Sequence, residues 1–115
     1  DGSIGMTGMD LETAARNNIG TLTVIKHDSI FSGYDKNIPE TVKRFDASTQ
    51  RGDYAALARA LGCHAETVTK PADIRPALDR ALNATREGQP AVLDVITAET
   101  RELSHKKMPP GRPRG

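Results

Sequence analysis

The stretch that decides the fold is residues 1–30, DGSIGMTGMDLETAARNNIGTLTVIKHDSI. It predicts a turn, then a helix over residues 8–18, then a strand over residues 21–26. Small and apolar side chains recur at helical spacing in the first part, and β-branched residues fill the second. Thr7 and Asp10, which lie three residues apart, predict a capping box at the start of the helix.

Two acidic residues flank this unit, Asp1 before the helix and Asp28 directly after the strand. Parallel neighbouring strands require a crossover of about a dozen residues or more, which returns the chain pointing the same way. If a strand precedes Asp1, both carboxylates lie at the carboxyl edge of one sheet, where open α/β sheets bind ligands. We therefore expect this sequence to be a piece of a longer polypeptide whose other residues, or another chain, supply that strand.

The turn that follows Asp1 has the features of an anion site. Gly2 lacks a Cβ, so a phosphate can approach the backbone closely, and Ser3 adds a hydroxyl beside the amides ahead of a helix. Mg²⁺ is usually held by one or two carboxylates together with the phosphates of a substrate. These residues therefore predict a divalent cation between Asp1 and Asp28, next to a bound phosphate.

The segment resembles the diphosphate-binding motif of thiamine-diphosphate enzymes, in which Gly-Asp-Gly is followed after about two dozen residues by Asn-Asn. Asp1-Gly2 matches the second and third letters of that motif, and His27-Asp28 stands where Asn-Asn is expected. The stretches SIGMTGMDLETAARNNI, GYDKNIPE, GDYAALARALG and PADIRPALDRALNATREGQPAVLDVIT also resemble the carboxy-terminal domain of this family, in its acetolactate-synthase-like branch. The sequence is thus similar to this family up to about Thr100, and we expect residues 1–97 to form its C-terminal cofactor-binding domain.

This resemblance implies a site for thiamine diphosphate and Mg²⁺. The side chains of Asp1 and Asp28 and the backbone carbonyl of Ile30 would bind the metal, while Gly2 and Ser3 would bond to the diphosphate. It also implies an enzyme that decarboxylates 2-oxo acids and joins the product to an acceptor, and that works as a homodimer or homotetramer. In this family the glutamate that activates the cofactor lies on a separate domain, and no residue here matches it. The piece alone is therefore expected to be inactive.

The rest of the chain predicts a parallel, doubly wound α/β sheet with helices on both faces. Strands are predicted over residues 64–68 and 91–96. A helix capped by Asp53 precedes the strand over residues 64–68. A second helix, which opens at residues 71–73, lies between the two strands. A strand, a helix and a strand in alternation are typical of a sheet whose strands all point the same way.

Two segments allow more than one interpretation. Residues 32–52 show no sustained period beyond a short helical turn over residues 40–45, and irregular segments of this length are usually functional or mobile. The family resemblance implies that this segment helps to cover the cofactor, and the alternative is a solvated surface loop. Residues 98–115 form a basic tail rich in Pro and Gly, which predicts disorder. Within it, Gly111-Arg112-Pro113 resembles the core of minor-groove hooks. The alternative function is therefore a non-catalytic domain with a degenerate cofactor site and a tail that binds DNA or a partner.

Composition excludes several other classes of protein. A net charge of +1, from 16 basic and 15 acidic side chains, provides no overall field to attract nucleic acid or a membrane. No apolar run reaches the length of a membrane span, and the single cysteine, Cys63, is expected to be buried and inert in a reducing cytosol. The three histidines share no zinc-ligand spacing with it, and His27 is expected to be an exposed loop residue without a role. We expect a soluble, cytoplasmic protein.

Overall fold

The structure is a computed structural model, and it describes residues 1–31 and 33–99. Its centre is a sheet of three parallel strands, β1 (Leu22–His27), β2 (His64–Val68) and β3 (Ala91–Ile96). The strand order is β1-β3-β2, so β3 pairs with both of the others. Because all three strands are parallel, their carboxyl ends meet at one edge of the sheet.

Six helices connect and cover these strands. They are α1 (Ile4–Thr7), α2 (Asp10–Arg16), α3 (Tyr34–Asn37), α4 (Pro39–Phe45), α5 (Tyr54–Ala60) and α6 (Ile74–Arg86), the last preceded by a 3₁₀ turn at Pro71–Asp73. The Asp53 carboxylate accepts a hydrogen bond from the Ala56 amide at 2.8 Å, which confirms the predicted cap of α5. Pro76 lies in the first turn of α6, where the missing amide hydrogen costs least.

The buried apolar side chains form one cluster on each face of the sheet. The first cluster, under α2 and α5, comprises Leu11, Ile25, Ala58, Cys63 and Val92. The second, under α6, comprises Val68, Ala77, Ala81, Ala91 and Leu93. Neighbouring residues of β3 contribute to opposite clusters, as the alternation of side chains along a strand requires. The predicted sheet with helices on both faces is confirmed, and Cys63 is buried as expected.

The helix predicted over residues 8–18 is confirmed as α2, whose ends lie two residues inside the predicted ones, and a further helix that the sequence did not predict precedes it. The structure has the single-turn helix α1, followed by α2, and the two are separated at Gly8 and Met9. Gly8 is the carboxyl cap of α1, and glycine is among the weakest helix formers, which explains a break at this point. The predicted capping box is wrong. Thr7 belongs to α1, and no side chain caps α2.

The segment expected to be mostly irregular contains more helix than predicted. The short turn over residues 40–45 is part of α4, and α3 precedes it. Gly33, with a φ of 87°, starts α3 in the left-handed conformation that glycine adopts without strain. An isolated antiparallel bridge between Ile30 and Thr49 then closes the segment against the loop that follows β1. This bridge brings the end of the segment to the carboxyl edge of the sheet.

The outer edge of β1 has no pairing strand among the described residues. It forms, with α1 and α2, a groove of about 600 Å³ whose wall includes Thr7, Leu11 and Val24. The strand expected before Asp1, from another part of the polypeptide or another chain, would lie against this edge. That expectation and the expected dimer stay predictions. The described helices include none with the length and apolar character that crossing a bilayer requires. The predicted tail lies, from residue 100 onward, outside the described residues.

A bidentate ion pair joins α6 to β2 and provides a pH test of the fold. Arg80 Nε and Nη2 donate to the two Glu66 carboxylate oxygens at 2.8 and 2.6 Å, and these bonds are the main cause that lowers the pKa of Glu66 below 4.5. Because folding lowers this pKa, the stabilisation is present above pH 4.5 and is lost as the pH falls through the folded-state value.

We expect Glu66→Gln to lower the free energy of unfolding by about 0.5–1 kcal/mol at neutral pH, a small effect because Arg80 is largely exposed. The difference from the wild type then shrinks as the pH is lowered below 4.5. Urea unfolding at neutral pH and at several acidic values measures both quantities. A difference that does not change with pH would contradict the assignment.

Candidate functional site

Asp1 lies at the carboxyl edge of the sheet, beside the loop that follows β1. Its backbone nitrogen donates to the Lys26 carbonyl at 2.8 Å. Its carboxylate accepts hydrogen bonds from the backbone amides of Gly2 at 3.0 Å and Ser29 at 2.8 Å. The side chain is only 3% exposed. The structure therefore brings Asp1 to the segment that contains Asp28, as crossover geometry predicts.

Asp28, directly after β1, is paired with a cation on that strand. The Asp28 carboxylate accepts a hydrogen bond from the Lys26 ammonium group. This bond is the main cause that lowers the pKa of Asp28 below its usual range, and the Ile30 amide adds a smaller contribution. The Lys26 side chain is 61% exposed, whereas that of Asp28 is 12% exposed. Lys26 can therefore swing into solvent without disturbing the packing around Asp28.

The turn after Asp1 is closely covered by neighbouring side chains. A Cβ on Gly2 would lie 2.7 Å from the Phe31 ring and 2.8 Å from Gln50 Nε2, so these side chains would have to shift to admit it. Ser3 precedes α1, is exposed, and makes no capping hydrogen bond with its hydroxyl. Gly2 is thus covered by the side chains of Phe31 and Gln50, neither of which the sequence analysis assigned to the site.

The expectation that His27 is an exposed loop residue is wrong. His27 is the last residue of β1 and is 7% exposed. Its Nδ1 lies 2.9 Å from Asp94 Oδ1, and its Nε2 lies 3.9 Å from Asp1 Oδ2. The imidazole is buried because β1 continues one residue further than predicted, which turns the ring toward the α5 face. His27 therefore lies between two carboxylates, one of them in the candidate site.

Sequence reasoning missed Asp94 altogether. It is 2% exposed on the central strand, and it stands as one acidic letter within the apolar run AVLDVI. That placement is itself a signal, because a carboxylate in a fully buried strand needs a hydrogen-bonding partner. The partner could not be identified from the sequence, since His27 is 67 residues away.

Two further polar side chains complete this side of the site. The Tyr54 ring packs edge-on against the His27 ring, with centroids 4.9 Å apart. The Tyr54 hydroxyl donates to Gln50 Oε1 at 3.4 Å. Gln50 is buried, and its Nε2 has no hydrogen-bond acceptor among the described residues. A buried donor without an acceptor therefore lies directly beside Gly2.

The donor set fits a magnesium diphosphate better than a metal held by protein alone. Residues 1–31 and 33–99 contain no cluster of three or more His, Cys, Asp or Glu side chains that could hold a metal ion. A cation shared with a diphosphate needs only one or two carboxylates, and Asp1 and Asp28 are the residues that could hold it here. The orphaned Gln50 amide in turn requires an acceptor, and a diphosphate oxygen is one. His64 is bonded to Glu66 and belongs to a different part of the sheet.

Comparison with known proteins agrees with this geometry. The family model described as "Thiamine pyrophosphate enzyme, C-terminal TPP binding domain" matches residues 1–95. The acetolactate synthase large subunit IlvG of Mycobacterium tuberculosis is 38% identical over 100 residues, which cover 84% of this chain and 18% of that protein. The sulfoacetaldehyde acetyltransferase of Alcaligenes xylosoxydans xylosoxydans is 30% identical over 106 residues, which cover 90% of this chain and 17% of that protein.

These matches cover nearly all of the described residues, but the chain spans only 18% of the length of the acetolactate synthases it matches. The matched region contains β1, β2 and all but the last residue of β3, together with the carboxyl edge at which Asp1 and Asp28 lie. The similarity is therefore to one domain of a larger protein, and the parallel α/β sheet agrees with it. The chain belongs to the thiamine pyrophosphate enzyme family, as a C-terminal TPP-binding domain similar to that of acetolactate synthase.

Proposed function

We propose that the carboxyl edge of the sheet binds thiamine diphosphate through Mg²⁺. The observation that carries the proposal is the Asp1 carboxylate, which is nearly inaccessible and is held by amides of its own turn and of the loop after β1. In this site the side chains of Asp1 and Asp28 and the carbonyl of Ile30 hold the metal. Gly2 and Ser3 bond to the diphosphate, which Asp28 and Ile30 contact through the shared ion.

The hydrogen bonds of Asp1 and Asp28 suit the two carboxylates to different roles in metal binding. Each Asp1 oxygen accepts one amide hydrogen and keeps a further acceptor position, so the residue presents a fixed ligand. Asp28 is held by an exposed ammonium group that can leave when a divalent cation binds. The positive charge of Lys26 also offsets the negative charge that Asp28 adds to a diphosphate site. This compensation makes an aspartate acceptable where the family has asparagine.

We further propose that the whole protein is a cytoplasmic, oligomeric enzyme that decarboxylates a 2-oxo acid and joins the product to an acceptor. Bound thiamine diphosphate supplies the carbanion chemistry for such a reaction. The support is the similarity to acetolactate synthase and to sulfoacetaldehyde acetyltransferase. In this proposal the present domain anchors the diphosphate. The rest of the polypeptide and a second subunit, in a homodimer or homotetramer, complete the active site.

A second candidate function is a non-catalytic domain with a degenerate cofactor site and a basic tail that binds DNA or a partner. The contact that favours it is the Lys26–Asp28 ion pair, because an ammonium group already neutralises one of the two carboxylates. The residues of such a tail lie outside the described ranges from residue 100 onward. Binding of thiamine diphosphate that depends on Mg²⁺ would exclude the degenerate site.

Calorimetry on the intact polypeptide that contains this sequence tests the proposal. We expect thiamine diphosphate to bind in the presence of Mg²⁺, and to bind at least about tenfold more weakly after chelation with EDTA, because the metal bridges two like-charged groups. Added Mg²⁺ in excess over the chelator restores the affinity. Equal affinity with and without the metal would contradict the proposed ligand set, and no binding under either condition would favour the second candidate.

A further inference from the structure

We propose that Gln50 is a further ligand for the cofactor, and that its side-chain amide donates a hydrogen bond to an oxygen of the diphosphate at Gly2. The inference rests on the proposed function, because it assigns an additional contact to the same site. Neither the motif residues nor the spacing of the carboxylates identifies Gln50, which lies on a different segment. The proposal follows from where the fold places this one side chain.

Backbone pairing fixes Gln50 next to the proposed metal ligands. The backbone amide of Gln50 donates to the Ser29 carbonyl at 2.9 Å, and the backbone amide of Phe31 donates to the Ser48 carbonyl at 2.7 Å. These two bonds flank the bridge between Ile30 and Thr49. The backbone of Gln50 is therefore held against the loop that contains Asp28 and Ile30. The Gln50 side chain thus extends from a position beside the proposed metal ligands.

A second contact orients the side-chain amide. The Tyr54 hydroxyl donates to Gln50 Oε1 at 3.4 Å, so the carbonyl oxygen points toward α5. The amide nitrogen is then directed the opposite way, toward the Gly2 backbone, where it lies 2.8 Å from the position of a Cβ. The orientation of Gln50 is thus set from both ends, and its donor is aimed at the turn that the proposed function assigns to the diphosphate.

The orphaned nitrogen distinguishes a ligand from a packing residue. Gln50 is 9% exposed, and within the described ranges its Nε2 has no acceptor. A buried donor without a partner destabilises the fold, so an apolar side chain of similar length would serve packing alone better. A diphosphate oxygen would satisfy the donor and would form a charge-assisted bond, which is stronger than a neutral one. The cost in the free protein is consistent with a bond that forms only when the ligand is present.

Two substitutions of Gln50 in the intact polypeptide separate these roles. Gln50→Leu removes the donor and keeps the approximate size, and Gln50→Glu replaces the donor with a negative charge. We expect the affinity for thiamine diphosphate with Mg²⁺ to fall about tenfold in the first variant and further in the second, where like charges repel. Inorganic pyrophosphate with Mg²⁺ is the second probe, and its affinity should fall by the same factors.

Calorimetry gives the affinities, and thermal unfolding without ligand gives the stabilities. We expect the ligand-free stability of Gln50→Leu to equal or exceed that of the wild type, because the orphaned donor is gone. Gln89→Glu is the matched control. It makes the same change at an exposed glutamine whose side-chain amide donates to the Gly62 carbonyl at the amino edge of the sheet, opposite the carboxyl edge that contains the site. This control should leave both affinities unchanged.

Several outcomes would overturn the inference while leaving the proposed function intact. One is a wild-type protein that binds both probes with Mg²⁺ and a Gln50→Leu variant that binds them equally well. Another is a variant whose affinity falls for thiamine diphosphate but not for pyrophosphate, since the contact would then not be to the diphosphate. A wild-type protein that binds neither probe would overturn the inference and the proposed function together.

Discussion

Replacing Asp94 with alanine is expected to lower the free energy of unfolding by about 3 kcal/mol or more. Asp94 is 2% exposed on the central strand, and its carboxylate is bonded to the buried His27 ring. Removing the carboxylate leaves His27 Nδ1 without its acceptor in a place that water does not reach, and it also leaves a cavity. Breaking a buried pair in this way costs far more than the pair contributes when it is intact.

Two matched variants identify the cause of this loss. Asp94→Asn keeps an oxygen that can accept from His27, so we expect a smaller loss of about 1 kcal/mol. Asp79→Ala removes an exposed carboxylate that pairs with Arg75 on α6, and we expect a change within about 0.5 kcal/mol. Urea unfolding of the intact polypeptide, read by hydrogen exchange of the β3 amides, measures the three losses. Equal losses for Asp94→Ala and Asp79→Ala would show that the buried pair does not stabilise the sheet.

Much of the fold could be predicted because each element carries its own local signal. The apolar run of β3 predicts a buried strand, and the Asp53 cap predicts the start of α5. Both predictions are confirmed. The helix predicted over residues 8–18 is found as α2 with each end two residues further in, and the single turn α1 was missed because four residues are too few to show a period. A periodic pattern therefore locates a helix better than it locates the ends of that helix.

In the candidate site, too, the contacts within one segment could be predicted and the contacts between distant segments could not. Asp1 and Asp28 belong to one continuous unit, so crossover geometry alone predicts that their segments meet. The side chains around them come from distant parts of the chain. Asp94 is on β3, Tyr54 is on α5, and Gln50 follows a bridge that no periodic pattern predicts. Contacts of this kind depend on the packing of the α5 face, which explains why sequence reasoning assigned His27 no role.

Replacing Asp28 with alanine is expected to weaken the binding of thiamine diphosphate with Mg²⁺ about a hundredfold or more, because the cation loses a direct oxygen ligand. Asp28→Asn retains a ligand oxygen and removes the negative charge that faces the diphosphate. It also releases Lys26, whose ammonium group is then free to attract the diphosphate. We therefore expect this variant to bind the cofactor as tightly as the wild type, or more tightly.

The difference in cofactor affinity between these two variants should depend on Mg²⁺. This dependence distinguishes a metal ligand from a residue that only orders the loop. If Asp28 merely ordered the loop through its bond to the Ile30 amide, asparagine would restore the affinity with or without Mg²⁺. If Asp28 binds the ion, the advantage of asparagine over alanine disappears when the metal is chelated, because neither side chain then has a cation to hold. Calorimetric titration of both variants with and without EDTA measures this advantage directly.

Asp79→Ala, which removes an exposed negative charge on α6, controls for the change in overall charge. An alanine variant that binds the cofactor with wild-type affinity in the presence of Mg²⁺ would exclude Asp28 from the metal site.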